Sequence, residues 1–456
     1  MAIPSASPLK VTTRVELIQL LVHAAEMEHA LMCQYLFTAF TMKQAGDEGI
    51  TADQARLIQG WYGTIMRIAV QEMRHLAQAC NLLTAVGGAP FLRRAGFPRY
   101  ASYYTLGLES ELTAFSVDTI HRYGCWEKPD WVDDSSCSEP RQMGGASSAA
   151  AAYCAHLAQV TDLIPGERPY HSMGELYALI GTAFDAIPAR ELFIGPSNAQ
   201  ITNKHVPFRE PLVAIATPAD AHRAIHLIVV EGEGTPQATA EAHTEPSHYE
   251  SFLQILAALK GELDGDPRFA PARPVIDNPV FAFSHEVDAV VPGAHVVTNS
   301  MARKVGAIFT AAYDLTLQLL MRFFTHTDET GAQQQILVDA SLSLMAGAIR
   351  PLGCLLTRLP AGDPATIDYP GLNAGPSFEV YSQIQPVPHV QTAWRYFQER
   401  LWQLTADCQN LSLSTDAPAA VAASLQSELT QVAALLQFWS ATFVAHGPAT
   451  PETRGK

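Results

Sequence analysis

Hydrophobic residues recur along most of this chain with the period of an α-helix. Near the amino terminus one stripe has intervals of three and four residues, and it consists of Leu17, Leu21, Ala24, Glu28, Leu31 and Tyr35. This spacing places all of its members on one face of a long first helix. Few segments show the alternation that is typical of strands, so the pattern predicts an all-α fold.

Three further helices are predicted in the first half of the chain. The second runs from Ala52 to about Val86 and stops at the glycine-proline segment 87–90, an ordinary helix terminator. The third runs from Ser172 to about Ile187. The fourth begins at Thr217–Pro218, a capping residue followed by proline in the first turn.

The spacing of these elements predicts two helical bundles joined by a connector. The first unit is residues 1–265, with a long excursion at 88–170 between its second and third helices. Loops of that length usually have a function or carry short elements of their own. A proline-rich connector covers 266–300, a C-terminal helical bundle covers 301–447, and 448–456 form a loose tail.

Composition and charge narrow the expected partners. The chain has 456 residues, of which 48% are hydrophobic, so it can bury a large core. Its net charge of -16 argues against nucleic acid and against anionic membranes as partners. The chain shows neither an apolar run of about 18 residues nor the pattern of a signal peptide. Seven cysteines without a CxxC pair predict reduced thiols in a cytoplasmic protein.

Carboxylate and imidazole side chains interrupt the apolar faces of the predicted helices. Glu72 and His75 lie one turn apart on the apolar stripe of the second helix, where unpaired polar groups are costly to bury. Inward carboxylates on the other helices extend the set of candidate metal ligands to Glu28, Glu72, His75, Glu175, Glu233 and His248. Four-helix bundles use such a set to hold iron or manganese pairs, because anionic oxygens offset the charge of buried cations.

Two of these candidates also have an ordinary structural interpretation. Glu28 could be a core glutamate that is neutralised by Arg67 or Arg74. Glu175 follows Ser172 by three residues, which is the spacing of a capping box.

The end of the fourth helix presents a choice between two carboxylates. Glu231 and Glu233 are two residues apart, so we expect only one of them to point inward. Glu233 shares a helical face with His226, seven positions earlier, whereas Glu231 falls elsewhere. Candidates for outer-shell residues or alternative ligands are Glu26, His29, His171, His226 and Glu231.

Several longer motifs carry a family resemblance. They are LLVHAAEMEHALMCQYLFTAF, EMRHLAQACNLLTAVGGAPFL, HSMGELYALIGTAF, VVEGEGT followed by SHYESF, and PGLNAGPSFE. With these motifs the chain resembles the ferritin-like family that includes the iminophenylpyruvate dimer synthases of the violacein and chromopyrrolate routes. The resemblance spans most of residues 15–380. It implies a ferritin-like four-helix bundle that binds non-haem iron, with the six candidate ligands at the polar motif positions.

Two features depart from the pattern that the resemblance implies. The segment GEGTP interrupts the fourth helix, and His248 follows Glu233 only after fifteen residues, so a second ExxH motif is missing. Bisindole-forming members can also carry large additional regions, which we do not expect in this chain. We therefore do not transfer their dimerisation chemistry directly.

The predicted function is that of a cytoplasmic non-haem iron oxidase or oxygenase. One or two iron ions, with manganese as the other candidate metal, would activate dioxygen to oxidise a small amino-acid-derived or natural-product substrate. We expect the excursion and the C-terminal bundle to form the walls of the substrate pocket. The sequence does not decide between a monomer and a homodimer. The alternatives are a metal-free scaffold protein of a biosynthetic pathway, an iron-storage protein and a metal enzyme with redox-neutral chemistry.

Overall fold

The structure is a computed structural model of the whole chain. The residues that it describes are 11–44, 48–93, 96–99, 108–133, 137, 170, 172–235, 245–281, 292–365, 368–380, 384, 388–416 and 418–448. All structural statements below concern these residues.

The first unit contains the four predicted helices together with three that the periodicity did not indicate. Its helices are α1 (Arg14–Thr41), α2 (Ala52–Ala85), α3 (Val117–Trp126), α4 (Met173–Ala186), the short α5 (Ala189–Leu192), α6 (Pro218–Gly232) and α7 (His248–Gly265). Capping boxes at Thr13, Thr51 and Thr217 begin α1, α2 and α6, since each threonine satisfies a backbone N–H that the first turn leaves unpaired. The three additional helices are α3, the short α5 and α7, and α3 packs against α7.

The C-terminal unit is also helical. It comprises α8 (Ser300–Thr325), α9 (Gly331–Leu344), a π-helical turn (Met345–Ile349), α10 (Arg350–Leu356), α11 (Val390–Ser412) and α12 (Ala422–His446). The two-residue strands β1 (Pro279–Val280) and β2 (His295–Val296) pair in parallel before α8. The predicted all-α class is therefore confirmed. The predicted domain boundaries stay a prediction. Buried hydrophobic residues of both helical units belong to one connected core, which extends from Val11 to Phe443.

One helical stretch among the described residues has the length and composition of a membrane span. It is Gly331–Leu356, and half of its most apolar window is buried inside the protein. A buried core helix of a soluble protein has the same properties. The stretch packs in this way, against α8 and α12.

The cysteine prediction needs one correction. Cys125 and Cys137 form a disulfide bond, although the sequence indicated reduced thiols throughout. The pair has no diagnostic spacing and comes together only because the chain after α3 folds back on the end of that helix. The other described cysteines are free thiols, namely Cys33, Cys80, Cys354 and Cys408. Cys154 lies outside the described residues.

Candidate metal centre

Three buried side chains converge between α1, α2 and α7. They are Glu72, His75 and His248, and one ligand atom from each lies within 4.8 Å of the others. Glu72 and His75 are neighbours on the inward face of α2. His248 is the first residue of α7, and the capping box of Ser247 and Glu250 fixes that helix start.

The contact between Glu72 and His248 has a geometry that hydrogen bonding does not explain. Their Oε1 and Nδ1 atoms are 2.8 Å apart, yet neither atom makes an aligned hydrogen bond with any described residue. Nε2 of His248 is unpaired in the same way. Leaving buried polar atoms unpaired is costly, and such groups usually need an explanation. A cation between them would satisfy the carboxylate and an imidazole nitrogen together, so these residues fit a metal ion.

His75 is oriented by carboxylates on both sides of its ring. Its Nδ1 atom lies 3.5 Å from Oε2 of Glu72 and 3.6 Å from Oε2 of Glu28. Its Nε2 atom lies 3.0 Å from Oε2 of Glu231, which also forms an ion pair with Arg74. Metal-binding histidines are commonly held by a carboxylate on the ring nitrogen that does not face the metal. Glu231, which is ion-paired with Arg74, therefore occupies that supporting position.

Two buried tyrosines orient further carboxylates at the centre. Tyr177 on α4 donates a hydrogen bond of 2.6 Å to Oε1 of Glu28. Tyr35 on α1 donates to Oε1 of Glu127, the residue that ends α3. That same oxygen lies 3.6 Å from Nδ1 of His248. Each hydroxyl thus restrains one carboxylate and leaves its second oxygen available.

Glu233 reaches the centre from the end of α6. Its Oε1 atom accepts a hydrogen bond of 2.5 Å from the backbone N–H of Gly174, at the start of α4. A Cβ atom at position 174 would collide with the Glu233 carboxylate, so a larger residue there would displace that carboxylate. Burial raises the pKa of Glu233 to about 7.

A small cavity of about 10 Å³ lies among these side chains. Its polar lining consists of Glu28, Glu72, His75, Glu127, Tyr177 and Glu233. A cavity of this size is at the lower limit for one water molecule. The centre is therefore closely packed around a space of atomic dimensions.

The buried charges of the centre shift one another strongly. Burial and the neighbouring Glu72 raise the pKa of Glu28 to about 8. Burial alone would raise the pKa of Glu72, but His248 and His75 outweigh it and lower that pKa. Burial opposes protonation of His248, but Glu127 and Glu72 raise its pKa to about 9. Protons thus neutralise the cluster when no cation does, and metal binding would have to release the imidazole protons.

A family model described as ferritin-like matches residues 21–257, just over half of the chain. The chain belongs to the ferritin-like family. The fold class and the family resemblance predicted from the sequence motifs are therefore confirmed. The matched region contains every residue of the centre described above.

Two curated relatives support the more specific resemblance. Dichlorochromopyrrolate synthase from Lentzea aerocolonigenes is 26% identical over 437 residues, which cover 89% of this chain and 40% of the relative. The 2-imino-3-(indol-3-yl)propanoate dimerase of Chromobacterium violaceum is 26% identical over 386 residues, covering 79% and 34% respectively. The ferritin-like chain thus spans well under half the length of these relatives.

A solved structure of a ferritin-like protein from Caulobacter vibrioides is a more distant match. It is 18% identical to this chain, with a TM-score of 0.44. The match covers 72% of this chain and 96% of the other. A similarity this low adds no evidence to that from the family model.

The structure brings five of the six predicted ligands of the ferritin-like centre together and leaves one out. Glu175 is not among the described residues that line the cavity. It lies in the first turn of α4, partly exposed, and its backbone N–H is capped by Ser172. Ser172 forms one half of the capping box that the sequence suggested for Glu175, and Tyr177, two residues later, points into the centre.

Both Glu231 and Glu233 approach the centre, although we expected only one of them to point inward. The helix ends at Gly232, and Glu233 is its C-cap residue. Gly234 then turns the chain with a φ of +87°, a conformation that favours glycine. His226, predicted to share the face of Glu233, is exposed and does not belong to the centre.

The remaining outer-shell candidates also lie elsewhere. His29 is hydrogen-bonded to the Tyr313 hydroxyl on α8, at 2.8 Å, so it faces the C-terminal unit. Glu26 is partly exposed on α1 and interacts electrostatically with His23. His171 lies outside the described residues.

Three residues of the centre were not predicted from the sequence. They are Tyr35, Glu127 and Tyr177. Tyr35 belongs to the predicted stripe of α1, where its hydroxyl is a polar group on an apolar face, so a signal was present. Glu127 follows α3, whose start is marked by the N-cap Ser116. That cap, followed by an amphipathic decapeptide, could have indicated a helix inside the long excursion.

Proposed function

We propose that this ferritin-like chain is a non-haem iron oxidoreductase that activates dioxygen to oxidise a small amino-acid-derived or natural-product molecule. The observation that carries the proposal is the buried cluster of Glu72, His75 and His248, in which polar atoms converge without hydrogen-bond partners. Carboxylate and imidazole ligands suit iron, and manganese is the other candidate.

The residues divide into ligands and supporting groups. Glu72, His75 and His248 would hold the first iron, and Glu28, Glu127 and Glu233 offer carboxylates for a second. Bound iron would supply redox chemistry with dioxygen. Tyr177 and Tyr35 fix two of the carboxylates.

The protein's own groups also control protons and water. Glu231, with Arg74, keeps a carboxylate on Nε2 of His75 and leaves Nδ1 directed inward. Glu28, whose pKa is raised to about 8, can hold a proton near neutral pH. Leu31 and Ile228 line the same small cavity and exclude bulk water from it.

The named relatives support an enzymatic role. Both carry the names of enzymes, a synthase and a dimerase, and both matches extend beyond the ferritin-like region. By analogy, the proposed substrate is a small molecule. A cytoplasmic location, the absence of nucleic-acid and membrane partners, and an open choice of monomer or homodimer are parts of the same proposal.

Metal analysis tests this proposal. We expect the full chain, produced in iron-supplemented medium, to contain about one or two iron ions per chain. Glu72→Gln should lose most of this metal, because it removes the anionic ligand between both imidazoles. Glu262→Gln, an exposed substitution at the far end of α7, is the matched control and should retain it.

Two rival functions give different results in the same experiments. A metal-free scaffold protein would contain almost no iron or manganese while remaining well folded, and that result would overturn the proposal. A redox-neutral metal enzyme would bind metal but consume no dioxygen when substrate candidates are added. Oxygen-uptake measurements on the iron-loaded protein therefore distinguish a redox-neutral metal enzyme from the proposed oxidoreductase.

A further inference from the structure

A second group of metal-binding side chains lies on and directly after α3, apart from the candidate metal centre. This thiol cluster consists of His121, Cys125 and Cys137, and one ligand atom from each lies within 4.8 Å of the others. None of these three residues lines the small cavity of the metal centre. The thiol cluster therefore needs an explanation of its own.

The helix α3 presents two members of the thiol cluster on one face. His121 and Cys125 are four residues apart, so their side chains lie one turn above each other. Nε2 of His121 is 3.9 Å from Sγ of Cys125. Tetrahedral zinc, with bonds of about 2.3 Å to sulfur and about 2.0 Å to nitrogen, holds two such atoms about 3.5 Å apart. The two side chains are therefore close to the separation that one shared ion requires.

Cys137 joins the thiol cluster because the chain after α3 folds back on that helix. The Cα atoms of Cys125 and Cys137 are 5.4 Å apart, and their side chains form the disulfide bond described above. Cysteine binds metal ions as a thiolate, so the bond has to be broken before either sulfur becomes a ligand. Rotation of the two side chains then brings their sulfurs to the separation of roughly 3.8 Å that tetrahedral zinc requires.

A thiol reductant converts the disulfide into this pair of ligands. Two reductant thiols supply two electrons and two protons, become joined in a disulfide themselves, and leave Cys125 and Cys137 as thiols. A divalent cation that binds the two sulfurs releases both thiol protons to solvent. His121 and Cys137 are only partly buried, so the reductant and the ion reach the thiol cluster from solvent. In the cytoplasm, the proposed location of this protein, such reductants keep thiols reduced.

The thiol cluster and the candidate metal centre select different ions. The metal centre combines carboxylates with imidazoles, a donor set that suits iron and manganese. Two thiolates with one imidazole favour zinc instead, and their two negative charges balance those of a divalent cation. The three side chains leave the fourth position of a tetrahedral site to a water molecule. The chain thus offers two chemically distinct metal sites.

The position of the thiol cluster also connects it to the metal centre. Cys125 lies two residues before Glu127, which ends α3 and places its Oε1 atom 3.6 Å from Nδ1 of His248. The helix has only ten residues, so a link between its last turn and the chain that follows restrains the segment that carries Glu127. The disulfide supplies this link in the oxidised protein, and a bound ion supplies it in the reduced protein.

We propose that His121, Cys125 and Cys137 bind one zinc ion when the protein is reduced and release it when the disulfide forms. The two states exclude each other, because the same two sulfur atoms serve either the ion or the bond. With hydrogen peroxide as the oxidant, the two thiolates lose two electrons and join, the ion leaves, and the peroxide takes up two protons to become two molecules of water. This zinc site does not depend on the iron centre or on the proposed function.

Titration of the full chain with Co²⁺ tests the zinc site. Cobalt replaces zinc in tetrahedral sites, and thiolate ligands give it a charge-transfer absorption in the near ultraviolet that carboxylate and imidazole ligands do not give. We expect the protein reduced with a phosphine to develop this absorption with about one equivalent of Co²⁺ per chain, and to lose it when Zn²⁺ displaces the cobalt. The oxidised protein should not develop it. Hydrogen peroxide, added after the phosphine is removed, should abolish it.

Substitutions assign the absorption to the thiol cluster. Cys137→Ser should abolish most of it. His121→Ala should weaken Co²⁺ binding at least about tenfold, since loss of even an outer-shell partner of a ligand costs about 10–100-fold. Cys354→Ser, at another free thiol, and His226→Ala, at an exposed histidine, are the matched controls and should bind Co²⁺ as the parent does. Glu72→Gln should lower the total metal content but leave the thiolate absorption unchanged, which separates this site from the iron centre.

Three results would overturn the proposal. They are a folded, reduced parent without the charge-transfer absorption, the full absorption in Cys137→Ser, and unchanged affinity in His121→Ala. Thermal melts establish that each variant is folded, and the oxidised parent provides a comparison that needs no substitution. Because zinc would stabilise the reduced parent but not Cys137→Ser, measurements of the disulfide's own contribution to stability require a chelator.

Discussion

At the scale of single residues, the centre is defined by polar groups buried where they cannot all satisfy one another. The pairing of Glu72 with His75 was predictable, because a carboxylate and an imidazole one turn apart on an apolar stripe require a reason. The contribution of Glu127 was not predicted, since its position depends on α3, a helix within the long excursion for which no helix was predicted. Glu175 differs from these residues, because Ser172 caps its backbone N–H in the first turn of α4 and its side chain does not line the small cavity.

Gly174 provides a test of the packing around Glu233. Gly174→Ala would place a methyl group against the Glu233 carboxylate, so we expect the free energy of unfolding to fall by about 1–3 kcal/mol. Urea denaturation measures this change. The control is Gly261→Ala in α7, where a Cβ atom meets nothing within 4 Å, and helix propensity should stabilise the protein by about 1 kcal/mol. Equal effects of the two substitutions would contradict the packing described for Glu233.

At the scale of helices, local signals located both ends of α2 and α4 to within one residue. The pair Thr217–Pro218 located the beginning of α6, and helical periodicity indicated α1 without giving its bounds. The segment GEGTP also predicted that α6 breaks where it does, but the choice between Glu231 and Glu233 was made from helical spacing alone. In the structure Glu231 contacts Nε2 of His75, whereas Glu233 reaches the backbone N–H of Gly174 at the start of α4.

The disulfide after α3 should stabilise the segment that carries Glu127. Cys125 and Cys137 are separated by 12 residues, and closing a loop of that size contributes about 3 kcal/mol through the unfolded state. We expect Cys137→Ser to lower the free energy of unfolding by about this amount under oxidising conditions. Under reducing conditions the variant and the parent should unfold alike. A persistent difference in excess reductant would point to packing of the cysteine side chain rather than to the bond.

At the scale of the whole molecule, the two helical units share one connected hydrophobic core. One face of α2 supplies Glu72 and His75 to the metal centre, while another supplies Leu76 and Cys80 to an apolar cavity between α1, α2 and the C-terminal unit. Periodicity predicted both units, but it could not show that they share a core or enclose a cavity. Those features depend on contacts between residues hundreds of positions apart, which no local pattern records.

An ion pair that links the connector to the first unit predicts a pH dependence. Arg273 binds Glu48 through two hydrogen bonds of 2.6 and 2.8 Å and also contacts the Phe40 carbonyl. Burial would raise the pKa of Glu48, but Arg273 outweighs it and lowers the pKa. Because the folded pKa lies below the unfolded value of about 4.5, this stabilisation is present above pH 4.5 and is lost as the pH falls.

We therefore expect Glu48→Gln to reduce the free energy of unfolding by about 2 kcal/mol at pH 7. The difference between variant and parent should shrink as the pH is lowered below 4.5. Denaturation series at several pH values measure this. Asp53→Asn, in the exposed pair with Arg56, is the control and should cost less than about 1 kcal/mol. A difference that grows toward acid would contradict the sign of the pKa shift.

The most direct test of the central claim is a crystal structure of the iron-loaded protein with diffraction data on both sides of the iron absorption edge. The account predicts an anomalous peak among Glu72, His75 and His248, at about 2.0–2.2 Å from the carboxylate and imidazole ligand atoms. A second peak near Glu28, Glu127 and Glu233 would establish a two-iron centre. Ordered density for these side chains without any anomalous peak, or iron bound only elsewhere on the chain, would contradict the account.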